Sequence, residues 1–216
     1  MSYFRTCLTR SLTVCWVVSL LGLVPTVAAA AECRKEPNAQ CKGKALRNVD
    51  WRGANLDGAN FQGANLEFAN LSGASLKAAN FRGANLQFSH LERADLTGAN
   101  LEGARLNRSN LEGAILTGAR LAQAGLVMTD LEGADLGAAD LTAADLKRAD
   151  LASANLQQAD LRKARLNGVH FNNADLNAAN LEGASIRRAQ WSGARLDAAH
   201  WINGKQCATP SLGACR

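Results

Sequence analysis

The chain has 216 residues, of which 47% are hydrophobic but only 5% are aromatic. This length suits one sizeable domain, and the composition excludes an interior built mainly on aromatic rings. The formal net charge of +5 is mild and, by itself, gives no reason to expect a nucleic-acid partner or a membrane surface.

Residues 1–31 have the three-part layout of a secretory signal peptide. Arg5 and Arg10 supply the positive start, residues 12–24 form the apolar run, and small residues occupy positions 28–31. This layout predicts that the chain is exported.

Cleavage is expected after Ala30 or Ala31, and it would place the mature protein in the periplasm or outside the cell. Contact with a membrane is then limited to the signal peptide before cleavage. The loss of two arginines leaves 22 basic and 19 acidic residues, a net charge of about +3. The alternative is an uncleaved anchor, because residues 12–31 could just cross a bilayer as a helix.

Four cysteines flank the rest of the chain in two pairs of equal spacing. Cys33 and Cys41 are eight residues apart, as are Cys207 and Cys215. An even number of cysteines in an oxidising compartment indicates disulfides, and we expect each pair to close locally. A zinc site is the rival interpretation, but this spacing without a nearby histidine fits zinc motifs poorly.

Between the cysteine pairs, a large apolar residue recurs at every fifth position without interruption. There are 32 of these centres from Leu46 to Trp201, namely 25 Leu, three Phe, three Trp and one Ile. The residue two positions before a centre is Ala at 26 of 30 places. The repeats define a domain at residues 46–203, between an N-terminal cap at 32–45 and a C-terminal cap at 204–216.

A period of five fits neither a helix nor a straight strand. Five residues turn a helix by about 140°, which would scatter the leucines around its surface. An odd step along one strand would send them to alternate faces. Each unit is therefore one short side followed by a corner, with the centres pointing inward. Examples of these core centres are Leu86, Leu96, Leu116, Leu136 and Leu156.

The A-[N/D]-L-x-x pattern, as in GANLDGANFQG, resembles the repeats of the pentapeptide-repeat proteins. The resemblance covers residues 46–203. It implies an all-β fold, a right-handed quadrilateral β-helix with four units per coil and about eight coils. Solenoids of this kind bury each coil against its neighbours.

The open ends of such a coil are a liability, because unpaired edges invite pairing with another chain. Trp51 lies in the first coil, and Trp191 and Trp201 lie in the last. We interpret these tryptophans as end plugs and the disulfide segments as covers; a looser core at the ends is the alternative explanation. Stacking of two chains end to end into a homodimer is a further expectation.

No residue pattern indicates an enzyme, a cofactor site or a catalytic residue. His90, His170 and His200 each precede a centre, and we expect them to lie on the surface. The Asn and Asp residues at the same position are expected to bond to nearby backbone at each corner. A divalent cation is one hypothesis for a row of three glutamates: Glu92, Glu112 and Glu132.

Charges are distributed unevenly among the four sides that the resemblance implies. The side with Leu46, Leu66 and so on to Ile186 carries nine basic and two acidic residues, a net charge of +7, while the other sides carry −4, −3 and zero. Seven of these basic residues are the candidate partner-binding face: Arg105, Arg108, Lys147, Arg148, Arg165, Arg187 and Arg188. We expect this face to dock a protein or another anionic component of the cell envelope. The alternative is that these charges only keep a β-rod soluble.

The sequence therefore predicts an exported, non-enzymatic solenoid that acts as a structural scaffold or a protein-interaction surface, without a cofactor or a nucleic-acid partner. The alternative comes from members of the same family that resemble duplex DNA in shape and charge and bind topoisomerases such as gyrase. That mimicry requires a strongly acidic surface in the cytoplasm, whereas the mature chain is basic and is expected to leave that compartment.

Overall fold

The computed structural model describes residues 33–215, so the predicted signal peptide lies outside the described residues. Parallel bridges join residues twenty apart at every fifth position, from the pair Gln40 and Asn60 to the pair Asn180 and His200. Because each unit has five residues, four units make one coil. The described part of the chain is therefore a four-sided β-helix.

The coil is built from isolated bridges, not from extended strands. Over residues 33–215 there is no α-helix, and no strand is longer than a single bridged residue. Each side contributes one bridged residue before the chain turns, so the sides are shorter than the short strands that the sequence suggests. Within this range, no helix is long and apolar enough to cross a membrane.

The backbone of one unit shows how five residues make a side and a corner. The Leu136 N–H donates to the carbonyl of Asn155 in the next coil (2.7 Å), and the Ala138 N–H donates to that of Gln157 (2.8 Å). The Leu136 carbonyl accepts from the Ala139 N–H (3.0 Å), which closes the turn. Ala138 has a φ of 53°, so the second residue after the centre is in the left-handed conformation.

The Asn or Asp before a centre fixes the same corner through its side chain. Asn55 Oδ1 accepts from the N–H of Asp57 (3.2 Å), and Asp140 Oδ1 accepts from the N–H of Thr142 (3.0 Å). Contacts of this kind stabilise local turns. The prediction that these side chains bond to nearby backbone is confirmed.

The core is a continuous column of alanine and leucine along the coil. The five leucines named as core centres are all fully buried: Leu86, Leu96, Leu116, Leu136 and Leu156. Aromatic centres stack in the same column, with the rings of Phe61 and Phe81 4.8 Å apart. Where a hydroxyl residue replaces the alanine, it is satisfied internally; Ser109 Oγ donates to the carbonyl of Leu106 at 2.6 Å.

At the N-terminal end, the coil begins one unit before the predicted boundary at residue 46. Cys41 is fully buried at a centre position, and Ala39 is buried two residues before it. The pattern of large apolar centres does not show this unit, because a cysteine stands where the leucine would be. A disulfide joins Cys41 to Cys33 and closes the segment that precedes the first coil.

At the C-terminal end, the chain folds back and pairs in antiparallel fashion with the last coil. Leu212 bridges Arg195, and the Gly213 N–H donates to the carbonyl of Ala194 (2.8 Å). This pairing covers backbone groups that a coil edge would otherwise expose. The disulfide of the C-terminal cap joins Cys207 to Cys215, and we call it the C-terminal disulfide.

The tryptophans interpreted as end plugs are partly buried and pack on aromatic neighbours. The Trp51 ring lies 6.0 Å from that of Phe61, and the Trp191 ring stacks on Phe171 at 4.4 Å. Trp201 lies 5.3 Å from Trp191. Aromatic side chains therefore extend the core column toward both ends. Stacking of two chains end to end stays a prediction.

Candidate binding surface

The twenty-residue coil stacks all positions of one side directly above one another. We call the side whose centres run from Leu46 to Ile186 the basic side. The structure places the seven candidate residues on it, with Lys147 half-buried and the six arginines exposed: Arg105, Arg108, Lys147, Arg148, Arg165, Arg187 and Arg188.

Both acidic residues of the basic side are neutralised by neighbours. Glu67 pairs with Arg47. Asp145 lies 3.2 Å from Lys147 Nζ and 3.3 Å from a guanidinium nitrogen of Arg165. The acidic residues therefore leave most of the positive charge of this side uncompensated.

Four exposed arginines of the basic side carry the larger part of that remaining charge: Arg108, Arg148, Arg187 and Arg188. None of them forms a salt bridge with another residue in the range 33–215. The Arg108 guanidinium instead lies over the ring of Phe88, 5.8 Å from its centroid. Arg105 differs from the four, because its guanidinium contacts the side chain of Gln87.

The second residue after each centre of the basic side forms a vertical row along one corner, which we call the corner row. Its members are Asn48, Phe68, Phe88, Arg108, Met128, Arg148, Gly168 and Arg188, and all have a φ between 56° and 74°. On the other three sides, 17 of the 23 equivalent residues with positive φ between positions 53 and 198 are Gly or Ala, and 12 of these are Gly. In the corner row only one of eight is.

Large side chains in the left-handed conformation are unusual, because the β-carbon crowds the following carbonyl. Six of the eight residues in the corner row have large side chains, and only Gly168 interrupts their sequence: Phe68, Phe88, Arg108, Met128, Arg148 and Arg188. Phe68 and Met128 are respectively 43% and 47% exposed, so packing in the core does not explain them. The rings of Phe68 and Phe88 stack on each other at 5.1 Å.

One cavity of about 410 Å³ opens on the basic side, and we call it the basic notch. Its lining is Lys147, Arg148, Asn167, Gly168, Arg187 and Arg188. The notch lies where the corner row lacks a side chain, between Arg148 in one coil and Arg188 two coils further on. The four cations could be identified from the sequence, but the notch could not, because the role of Gly168 depends on its neighbours in the row.

The histidines and the glutamate row form no shared site. His90 Nδ1 lies 2.9 Å from Glu92 Oε1, and His170 Nδ1 lies 3.5 Å from a carboxylate oxygen of Asp150. Glu92 also accepts a hydrogen bond from the Ser72 hydroxyl (2.6 Å). Among the described residues, no group of three His, Cys, Asp or Glu is placed to hold a metal ion, so the hypothesis of a divalent cation at the glutamate row is not supported.

Comparisons with solved structures find other proteins built from such repeats. HetL, a pentapeptide repeat protein involved in heterocyst differentiation regulation in the cyanobacterium Nostoc sp. strain PCC 7120, is 31% identical and covers 83% of this chain and 95% of its own, with a TM-score of 0.26. A pentapeptide repeat protein from the Arabidopsis thaliana thylakoid lumen is 23% identical, covering 61% and 86%, with a TM-score of 0.42.

A trypsin-treated form of QnrB1, a plasmid-mediated fluoroquinolone resistance protein, is 18% identical and covers 73% of this chain and 79% of its own, with a TM-score of 0.49. Among curated proteins, no sequence matches significantly.

The repeat profile of one family follows the coil over nearly its whole length. The profile for pentapeptide repeats (8 copies) matches residues 39–77, 74–113, 94–129, 129–168 and 164–200. The first match begins at Ala39, where the structure also begins the coil. Most of the chain is thus covered by the profile, and the chain belongs to the pentapeptide-repeat family, whose members are right-handed quadrilateral β-helices.

Proposed function

We propose that this chain is an exported, non-enzymatic binding protein whose β-helix presents the basic side to an acidic protein partner. Proteins of this family are generally structural or binding proteins. A coil with a backbone bridge at every fifth residue is suited to this role, because it holds a row of side chains at fixed spacing without a flexible loop.

The two disulfides support the export part of the proposal. Disulfides persist mainly in oxidising compartments such as the periplasm or the extracellular space. Cys33, the first described residue, takes part in one of them, directly after the predicted signal peptide. Cleavage after Ala30 or Ala31 would leave this disulfide at the start of the mature chain.

The corner row is the observation that carries the binding part of the proposal. A left-handed backbone favours glycine, and 12 of the 23 equivalent residues between positions 53 and 198 on the other sides of the coil are glycine. The corner row instead holds phenylalanine, methionine and arginine, the residue types enriched at the centres of protein interfaces. This composition favours a protein partner over a polymer held by charge alone.

The chemistry of the partner follows from the uncompensated charge. Arg108, Arg148 and Arg188 occupy every second coil along the corner row, so that one coil lies between each arginine and the next. A partner with exposed carboxylates and an apolar patch facing Phe68 and Met128 would match the row in both charge and polarity. The same charge distribution gives no support to mimicry of DNA, which requires an acidic surface.

Charge reversal in the corner row tests the proposal. Arg148→Glu with Arg188→Glu is compared with Arg93→Glu combined with Lys163→Glu. All four positions have a φ between 56° and 59°, so both variants make the same chemical change at the same kind of corner, on different sides.

The measurement is crosslinking and recovery of partners from the cell-envelope fraction of the native host, with each captured protein then tested for direct binding to purified chain. We expect the first variant to lose an acidic partner that the second variant retains. Equal capture by both variants would refute the basic side as the docking surface. Recovery of the protein only from the cytoplasm, with its leader intact, would refute export.

A further inference from the structure

We propose that the basic notch is a binding site for a phosphate monoester carried on a small polar body such as a sugar. This inference goes beyond the proposed function, since it assigns a phosphate ligand to one part of the basic side, and it rests on the geometry of one cavity. Four cations line the notch, and no acidic residue is among its lining residues.

Gly168 leaves the notch open at a corner where the coils on either side carry arginine. A β-carbon at Gly168 would lie 3.5 Å from Cγ of Arg148, which is an ordinary contact. Its φ of 74° lies in the left-handed region that favours glycine. Arg148 (56°) and Arg188 (59°) lie in the same region in the coils on either side. A β-carbon would therefore not clash at this position, and the glycine leaves open the space that an arginine side chain takes in those two coils.

The floor of the notch is held in place by hydrogen bonds. The Asn167 Oδ1 accepts from the Arg187 N–H (2.9 Å), and its Nδ2 donates to the Ser185 hydroxyl (3.1 Å). The Gly168 N–H donates to the carbonyl of Arg187 (2.9 Å). A ligand would meet a floor that these hydrogen bonds hold in place, with the guanidinium groups at the rim.

The cations favour a tetrahedral dianion over a carboxylate. Arg148 and Arg188 stand two coils apart, roughly 10 Å at the ordinary spacing of paired strands. Each planar guanidinium can donate two parallel hydrogen bonds to a phosphate. A phosphate monoester offers three oxygens and a charge of about −1.5 to −2 at pH 7, so it can accept hydrogen bonds from Arg148 and Arg188 at the same time. The cavity, about 410 Å³, leaves room for the body that carries the phosphate.

Three variants of the purified chain separate a notch from a general basic surface. Arg148→Gln with Arg188→Gln removes the two rim cations. Arg93→Gln with Lys163→Gln removes equal charge at equivalent corners on other sides. Gly168→Arg completes the corner row: it raises the positive charge of the basic side but fills the space.

Isothermal titration with glucose 6-phosphate gives the readout. We expect binding to the unchanged chain, a loss of roughly tenfold or more in the rim variant, no change in the control variant, and no binding in Gly168→Arg. Thermal unfolding of each variant checks that the coil is intact. Equal or tighter binding by Gly168→Arg would overturn the proposal, because it would show attraction to diffuse charge.

Two further binding measurements test the charge that the ligand must carry and the source of its phosphate. Glucose 6-sulfate has the same shape but a single charge, and equal affinity for it would overturn the preference for a dianion. Vesicles of phosphatidylcholine with phosphatidic acid test a lipid source of the phosphate. Binding to these vesicles as well as to the sugar phosphate supports the site and assigns it a membrane ligand. Binding to the sugar phosphate alone supports a soluble ligand. If no phosphate monoester binds while charge reversal still abolishes partner capture, the notch inference fails and the proposed function stands.

Discussion

Replacing Leu136 by alanine tests whether the buried centres hold the coil together. Leu136 is fully buried in the middle of the coil, between Leu116 and Leu156 of the neighbouring coils. The change deletes three carbon atoms, and at about 0.8 kcal/mol per buried methylene the transfer term is roughly 2.4 kcal/mol. The bridged backbone prevents the neighbouring coils from closing the gap, so a cavity term adds to it. We expect the free energy of unfolding to fall by about 3–5 kcal/mol.

Urea denaturation followed by far-ultraviolet circular dichroism measures this loss. Tryptophan fluorescence provides a second probe, because Trp51, Trp191 and Trp201 lie near the two ends. The matched control is Leu212→Ala, the same substitution at a side chain that is 63% exposed, where the change should stay within about 0.5 kcal/mol. If the two variants unfold at the same urea concentration, the inward leucine column is not what stabilises the coil.

Three further predictions concern the C-terminal cap, a charged corner and the backbone of the basic side. Replacing both cysteines of the C-terminal disulfide by serine should lower the free energy of unfolding by about 2–3 kcal/mol, because a short loop of the unfolded chain is freed; a thermal midpoint equal to that of the unchanged chain would contradict this. A hydrogen bond from Arg162 holds the pKa of Asp160 below its ordinary value of 3.8, so its stabilising contribution is complete above that pH and is lost as the pH falls through the lower folded pKa. Asp160→Asn should therefore be less stable than the unchanged chain at neutral pH, and its free energy of unfolding should fall less steeply on acidification to pH 2. Parallel profiles of stability against pH for the two proteins would contradict this prediction. Arg188→Gly should leave the free energy of unfolding unchanged or raise it, because it relieves a left-handed φ of 59°. Arg187→Gly, at the neighbouring residue where φ is not positive, should lower it by about 0.5–1 kcal/mol. If urea denaturation gives the reverse order of stability, backbone strain at Arg188 is refuted.

Much of the fold could be predicted because the repeat is strictly periodic. The inward Leu136 and the Asx contacts of Asn55 and Asp140 follow from one rule applied to each unit. A periodic pattern also assigns every residue to a side once the number of units per coil is known. The net charge of +7 on the basic side could therefore be derived without coordinates.

The ends could not be predicted in the same way, because the repeat rule stops there. Cys41 acts as a core centre although it is also half of a disulfide, so the apolar pattern placed the start of the coil one unit too late. The antiparallel return of Leu212 onto Arg195 depends on contacts between segments without a shared pattern. Such contacts are decided by tertiary packing and hydrogen bonding, which leave no periodic trace in the sequence.

The left-handed corner makes residue choice on each side informative about function. Backbone preference accounts for the 12 glycines among the 23 corners between residues 53 and 198 on the other three sides, but it does not account for Phe68, Met128 or Arg148. Gly168 is the one member of the corner row that follows this preference, and it leaves a gap between two arginines. The corner row therefore departs from the backbone preference at seven of its eight positions. This departure occurs on the most basic side of the coil, and a purely structural rod would give no reason for large side chains and positive charge to coincide there.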